Sequence, residues 1–393
     1  MNRFPAWPSF DQTQIDAASA VLKSGKVNYW TGNECKAFET EFANHANTDY
    51  AISLANGSLA LSAAYLAIGL GENDEVITTP RTFIATASSA VLLRATPVFA
   101  DVDPDSGCIT AETILPLITP RTKAVSVVHL GGWPADMPAI CKVCQEHGLA
   151  VIEDCAQAHG ARILVDDQWC SVGSFGDVSA WSFCQDKIMT TGGEGGMVTT
   201  SRSDLWDQIW SFKDHGKSFD AVHNTAHAPG FRWLHHRFGS NFRLTEFQSA
   251  IGRVQLRCLP DWHQQRAQNA AILIDALAEL PSLRVPLPKA DIDHAWYKFH
   301  CYIRPDALKQ DWNRNRIIAE INAAGFPALQ GSCSEIYLEQ CFQQSGLAPV
   351  ERLPVARMLG ETSLMLLVHP TIEKELMQDY AQTVRSVLIR SCR

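Results

Sequence analysis

The stretch Ala51-Ile-Ser-Leu-Ala-Asn-Gly-Ser58, with the alanine- and leucine-rich run Leu59 to Leu70 and then Val76-Ile-Thr-Thr79, decides the fold. A short apolar run makes a buried strand, Asn-Gly-Ser opens a helix, Gly69 and Gly71 stop it, and a second strand follows. The alternation continues downstream. A helix is expected from about Phe83 to Leu93, then the strand Pro97-Val-Phe-Ala100, a helix around Ala111 to Leu117, and the strand Ala124 to Val128. A helix near Ala139 to His147 leads to Leu149-Ala-Val-Ile-Glu153. Strands alternating with helices of this length predict an α/β chain with a mostly parallel sheet covered on both faces. In such sheets ligands bind beyond the carboxyl ends of the strands, so chemistry is sought immediately after each strand.

Those positions carry distinctive residues. Asn56-Gly57-Ser58 puts backbone N–H groups and a hydroxyl at a helix N-terminus, an anion site suited to phosphate, although a serine there also serves as an ordinary cap. Phe83 begins a helix after a strand, where it can stack on an aromatic ligand or join the core. Asp154 ends a buried strand, and a carboxylate there is costly without a partner. The partner is either a helix N-terminus or, in a Schiff-base enzyme, a protonated pyridine nitrogen. Ala156, small enough for a ring to lie flat, and Gln157, an amide donor, follow. The last such place is Ser182-Phe-Cys-Gln-Asp-Lys187-Ile-Met-Thr-Thr-Gly192-Gly-Glu-Gly-Gly196, between the strand Val178 to Phe183 and the strand Met197 to Thr200. Lys187 is either a surface lysine in a flexible loop or a nucleophile held for Schiff-base formation, with glycines that let backbone approach a bulky cofactor.

Outward from this core, Asp11 and Gln14 form a capping-box pattern for a first helix ended by Gly25. Tyr29-Trp30 beside Gly32 suits either ligand contact or core anchoring. After residue 200 helices are expected at Leu205 to Phe212, Thr245 to Leu259 and Arg266 to Leu277. Between the first two lies a long irregular stretch, Asp214 to Gly239, read as a functional or interface loop. Leu280 to Pro288 reads as a linker. The strand Tyr297 to Arg304, the helix Asn315 to Ala324 and a final helix Glu373 to Arg390 make a smaller α+β unit. The expected division is a large α/β domain over 1–255 and a smaller α+β domain over 256–393.

Composition narrows the class. The chain of 393 residues has 33 Lys and Arg against 42 Asp and Glu, and a net charge of −9 argues against nucleic acid or anionic membrane as a partner. No apolar run reaches the roughly 18–20 residues of a membrane span, and the first residues lack the apolar segment of a secretion signal, so a cytoplasmic location is expected. The 12 cysteines are scattered through apolar segments, as reduced buried thiols are. Cys141 and Cys144 have no second pair at zinc-binding spacing. His215-Gly-Lys-Ser218 imitates the end of a phosphate-binding loop, but the first glycine position is Ser211 and a helix precedes it. His223, His227, His235 and His236 lack the cysteine or carboxylate pattern of a metal site, so no metal is expected.

Taken together, Ala55-Asn-Gly-Ser58, Gly71 to Ile77, Thr82-Phe-Ile-Ala-Thr86, Pro97 to Val102, Thr119 to Ala124, Val151 to Ala158, Ser182-Phe183, Lys187, Gly193-Glu-Gly-Gly196 and Gly239 to Glu246 resemble the DegT/DnrJ/StrS family. These are pyridoxal-phosphate-dependent sugar aminotransferases of fold type I. The resemblance implies that Lys187 forms the Schiff base and shuttles the proton, and that Asp154 pairs with the pyridine nitrogen. It places Gln157 on the ring oxygen, Phe83 and Ala156 at the ring faces, and Gly57, Ser58 and Ser182 on the phosphate. Asn241 would reach the phosphate of the neighbouring subunit, which implies a homodimer. The implied substrates are a nucleotide-linked keto sugar and L-glutamate, with 2-oxoglutarate as product. A keto-cyclitol acceptor is the alternative. Family dehydratases carry histidine at the position of Lys187, and a non-catalytic regulator would not need Lys187, Asp154 and Gln157 together. The chain departs from the family pattern at Cys184-Gln-Asp186 and at Gly192-Gly193-Glu194, both beside the site.

Overall fold

In the computed structural model, which describes residues 3–332 and 334–393, the expected alternation builds a seven-stranded sheet. Its strands are β1 (Tyr50–Leu54), β2 (Glu75–Thr78), β3 (Thr96–Phe99), β4 (Thr122–Val128) and β5 (Ala150–Asp154). A hairpin, β6 (Arg162–Val165) and β7 (Gln168–Ser171), leaves the sheet, and β8 (Val178–Ser182) and β9 (Gly196–Thr200) return to it. The spatial order is β1-β9-β8-β5-β4-β2-β3. Only β9 runs against its neighbours; the pairs from β8 to β3 are parallel.

Alternate residues of each strand face opposite cores. Val125, Val127 and Val151 pack with Phe38, Phe42, Ile140 and Phe183 on one side. Ala124, Ile152 and Val198 pack with Leu61, Tyr65, Ile209 and Trp210 on the other. Each such Val, Leu or Phe removed from water contributes about 1.5–3 kcal/mol, which is why the strands read as unbroken apolar runs.

The later half of the chain adds β10 (Leu283–Arg284), β11 (Ile292–Asp293), β12 (Phe299–Ile303), β13 (Ala328–Leu329) and β14 (Ser363–Leu366). Four of these form an antiparallel sheet, β10-β12-β14-β13, while β11 pairs with β6. The helices Arg314–Ala323 and Lys374–Ser391 cover this sheet through Ile317, Ile321, Tyr380, Val384 and Leu388.

Two expectations change here. The helices predicted on either side of Pro260 are one 32-residue helix, Glu246–Leu277. Proline removes one backbone bond, but Leu259 before it and Ala270, Leu273 and Leu277 after it are buried, and packing on both halves outweighs that loss. Position 255, the expected end of the large domain, therefore lies inside an element shared by both parts. Phe4 also crosses over, packing on Phe326 and Tyr380 of the second core.

Tyr29 and Trp30 prove to be anchors. Tyr29 is buried with the Lys213 ammonium 3.4 Å from its ring centroid, and Trp30 packs edge-on against Trp210. Gly32 is needed because Glu246 passes beneath it to accept the N–H of Glu34 (2.6 Å) and cap the helix Glu34–Ala46.

Candidate active site

A cavity of about 700 Å³ opens at the carboxyl ends of β1, β5 and β8, where parallel sheets place ligands. Asn56, Gly57, Ser58, Phe83, Asp154, Ala156, Gln157, Ser182 and Lys187 all line it. Tyr297, Lys298, Leu329 and Met365, from the later part of the chain, also bound it.

At the end of β1 the helix Gly57–Ala67 is capped by Asn56, whose Oδ1 accepts the N–H of Leu59 at 2.9 Å. The cap is Asn56 and not Ser58, so the exposed Ser58 remains available at the helix N-terminus. Ser182 closes the other side. A Cβ added at Gly57 would stand 2.6 Å from Ser182 Cβ, so this approach requires a residue without a side chain. A helix N-terminus with two serines beside it is a donor set for a phosphate.

Asp154 ends β5 and is 5% exposed. Its Oδ2 accepts from Thr86 Oγ1 at 2.8 Å and its Oδ1 from Ala156 N at 3.1 Å. Thr86 Oγ1 in turn lies 2.8 Å from Thr82 Oγ1, in the bend that precedes the helix Ala85–Leu92. Burial pushes the Asp154 carboxyl up from the usual carboxylate range, against the pull of Thr86, the Ala156 N–H and the Lys187 charge. A buried carboxylate of raised proton affinity is matched to a cationic N–H ligand. Glu153 is turned the opposite way and is fully used. It accepts from the N–H groups of Gly173 (2.8 Å), Phe175 (2.9 Å) and Gly176 (2.7 Å). His129 accepts the Ala135 N–H at Nδ1, so its Nε2–H donates to Glu153 at 3.0 Å and fixes the strand end from behind.

Gln157 accepts the Gly131 N–H at Oε1 (2.7 Å), which leaves its amide nitrogen as the donor for the cavity. Phe83 is 65% exposed with its ring at the cavity wall, an arrangement a core phenylalanine does not have. Lys187 is half-buried, and its Nζ lies 5.3 Å from the Tyr297 ring centroid. Its carbonyl accepts from Trp7 Nε1 at 2.9 Å, so the N-terminal segment pins the lysine loop.

The glycine loop behaves differently from expectation. Of residues 192–196 only Glu194 lines the cavity. Gly192 and Gly193 have φ of 92° and 125°, a left-handed backbone that favours glycine. A Cβ on Gly196 would lie 2.4 Å from Asn56 O. The glycines shape the turn into β9 and do not themselves face the cavity.

Thr86, Tyr297 and Lys298 were not singled out from sequence, and Asp186 was marked only as part of the Cys184-Gln-Asp186 departure from the family pattern. Thr86 lies in the first turn of the helix Ala85–Leu92 and Thr82 in the bend before it, so their pairing is set by how the chain enters the helix. Nothing local marks Tyr297 and Lys298, which arrive from the later part of the chain. Asn241 is exposed and outside this cavity, with its Oδ1 accepting from Arg243 N at 3.3 Å. The histidines are not assembled: His223 stacks on Trp30, His227 bonds the Ala221 carbonyl and His235 the His215 carbonyl. Cys141 and Cys144 are free thiols, both pushed up to about 12 chiefly by burial.

An α/β sheet that sets a lysine, a strand-end aspartate and a phosphate-type helix N-terminus around one cavity defines an aminotransferase-class enzyme. The chain belongs to the DegT/DnrJ/EryC1/StrS aminotransferase family, whose sequence profile matches residues 8–385. It is 34% identical over 375 residues to the UDP-N-acetyl-3-dehydro-alpha-D-glucosamine 3-aminotransferase of Acidithiobacillus ferrooxidans, covering 95% of this chain and 91% of that one. It is 33% identical to the dTDP-3-amino-3,4,6-trideoxy-alpha-D-glucose transaminase of Streptomyces venezuelae, over 92% and 89% of the two chains. The crystal structure of an aminotransferase from Psychrobacter cryohalolentis superposes with a TM-score of 0.96 at 52% identity, covering 99% of both chains. No helix among the described residues is long and apolar enough to cross a membrane.

Proposed function

We propose that this protein is a pyridoxal-phosphate aminotransferase that moves the amino group of L-glutamate to the keto carbon of a nucleotide-linked sugar, building an amino sugar for a surface polysaccharide or related glycoconjugate. The observation that carries the reading is the convergence of Lys187, Asp154 and the Gly57–Ser58 helix N-terminus on one cavity. Two relatives of full-length similarity named for this reaction on UDP- and dTDP-linked sugars support the substrate class. A cytoplasmic setting is supported by the free thiols of the described residues, five of which are buried.

The residues present fit the cofactor. The cradle at Gly57 that a Cβ would fill suits a phosphate held by backbone donors, and the buried Asp154 suits a protonated ring nitrogen. When bound, the cofactor supplies the electron sink for making and breaking the bonds at the amino-bearing carbon. Asp154, held by Thr86 and Ala156, keeps the ring nitrogen protonated. Gln157 donates to the ring oxygen, Phe83 covers one face and Ala156 leaves the other open. Gly57, Ser58 and Ser182 bind the phosphate and fix the ring's position. Lys187 Nζ would be the nucleophile that attaches the cofactor and then the base that carries the proton between cofactor and substrate carbons.

Asn241, exposed beside the end of β1, is the residue that reaches the phosphate in a second copy, so the working unit is a homodimer. One experiment tests both parts. Lys187→Ala loses the bound-cofactor absorbance and transamination, and Asn241→Ala loses most of its activity. Mixed dimers of the two variants recover activity, because one site of each mixed dimer is intact. Wild-type activity in Lys187→Ala rejects the mechanism, and absence of recovery rejects the shared site.

A further inference from the structure

Two cations line the active-site cavity, Lys187 and Lys298. Lys187 is taken up by the cofactor in the function proposed above, and Lys298 has no part in it so far. Lys298 immediately precedes β12, and its Nζ lies 4.7 Å from the centroid of the Tyr297 ring, the same ring that Lys187 approaches at 5.3 Å. Its side chain makes no hydrogen bond or ion pair with any described residue. Burial pushes Lys298 down to about 8, with the Asp186 carboxylate acting in the opposite sense.

The one acid of the small cleft behind it, Asp105, is paired with Arg284. His300 and Tyr302, alternate residues of β12, line that cleft with Lys298. His300 Nε2 and all three guanidinium nitrogens of the fully buried Arg81 are without hydrogen-bond partners among the described residues. Burial, with the charges of Arg81 and Lys298, pushes the His300 imidazole down to about 3, so it stays neutral. Unpaired cations away from water are costly unless something anionic meets them. The nearest acid, Asp186, is already engaged: it accepts from the Tyr297 hydroxyl. That bond ties the residue before Lys187 to the residue before Lys298 and holds both ammonium groups against one ring.

We propose that Lys298 is the anion-binding residue of this active site, and that its ammonium takes a carboxylate or phosphate oxygen of the molecule whose carbon reacts over Lys187. Asp186 and Tyr297 are positioning residues for it. The inference rests on the aminotransferase reading, in which both substrates are anionic: glutamate through its carboxylates and the sugar through its diphosphate.

The test uses the cofactor-loaded enzyme and two unreactive probes, glutarate and inorganic pyrophosphate, measured by calorimetry in wild type, Lys298→Met and Lys298→Arg. Loss of one charge-assisted bond weakens binding about 10- to 100-fold, and arginine retains most of it. A loss for glutarate assigns Lys298 to the amino donor, and a loss for pyrophosphate assigns it to the sugar nucleotide. In turnover the same variant raises KM for that substrate with kcat within a few-fold, a split that mere misfolding does not produce. Lys298→Gln replaces Lys298→Met if the latter fails to retain cofactor absorbance. Unchanged affinity for both probes in a loaded, folded variant overturns the proposal. Wild type that binds neither probe overturns it too. If that wild type also fails to transaminate with any amino acid, the functional reading falls with it; if it does transaminate, only the lysine assignment is lost.

Discussion

Gly57→Ala isolates the phosphate cradle from the rest of the site. The new methyl carbon stands 2.6 Å from Ser182 Cβ, 3.0 Å from its Oγ and 3.1 Å from its Cα. Carbon atoms settle at about 3.5–4.0 Å, so the shortfall is about 1 Å. Rotating the serine cannot relieve it, because one of the three atoms is backbone. The start of the helix Gly57–Ala67 and the end of β8 must move apart. Overpacking of this kind costs about 1–3 kcal/mol, offset by about 0.5–1 kcal/mol for alanine over glycine in a helix. A net loss of about 1–2 kcal/mol lowers the melting temperature of the cofactor-free protein by about 1–2.5 °C in a chain of this length.

The larger effect is on the ligand. Displaced N–H donors forfeit about 1.5–3 kcal/mol of charge-assisted bonding, a rise of about 10- to 150-fold in the Kd for pyridoxal phosphate. Titration into cofactor-free protein, followed by bound-cofactor absorbance, measures it. Pyridoxal without the phosphate is the control, and its affinity stays within a few-fold of wild type. Adding Ser182→Gly removes two of the three close contacts and restores part of the lost stability, giving a favourable coupling between the two positions. Equal losses for pyridoxal and pyridoxal phosphate would refute the reasoning, as would a variant that melts and binds like wild type.

Two further outcomes follow from the same geometry. Thr86→Val keeps the shape but removes the donor to Asp154, worth about 1.5–3 kcal/mol for a bond to a charged group, so cofactor affinity drops at least about tenfold with the circular dichroism unchanged; wild-type affinity would take Thr86 out of the site. His159 is fully buried between Trp181 and Phe183, and burial pushes it down to about 3. Its folded imidazole therefore stays neutral while the unfolded one, near 6.5, takes up a proton as the pH falls, so its contribution is complete above about pH 6.5 and is lost at about 1.4 kcal/mol per unit below it. His159→Phe removes this dependence, and the stability difference between pH 7.5 and pH 5 in urea melts shrinks by about 2 kcal/mol; an unchanged difference shows that the histidine is not the titrating group.

The sequence by itself determined the layered α/β architecture, because buried parallel strands must be apolar throughout and their connections must return as helices. It also determined where chemistry sits, since strand ends are the only buried positions where Asp154, Ser182 and the Asn56-Gly57-Ser58 turn can face a ligand. Local pattern could not say that Pro260 lies within a single helix, because packing on both sides decides that. Nor could it say that Asn56, not Ser58, is the cap, since both residues suit the role and only backbone geometry chooses. The glycines after Lys187 read as room for a cofactor and proved to shape a turn, a matter of φ angles that composition does not reveal. Tyr297 and Lys298 belong to the site only because the later part of the chain folds back to the large sheet. Their partners are about a hundred residues away or more, and a charge without a nearby counter-charge in the chain becomes informative only when tertiary structure shows what surrounds it.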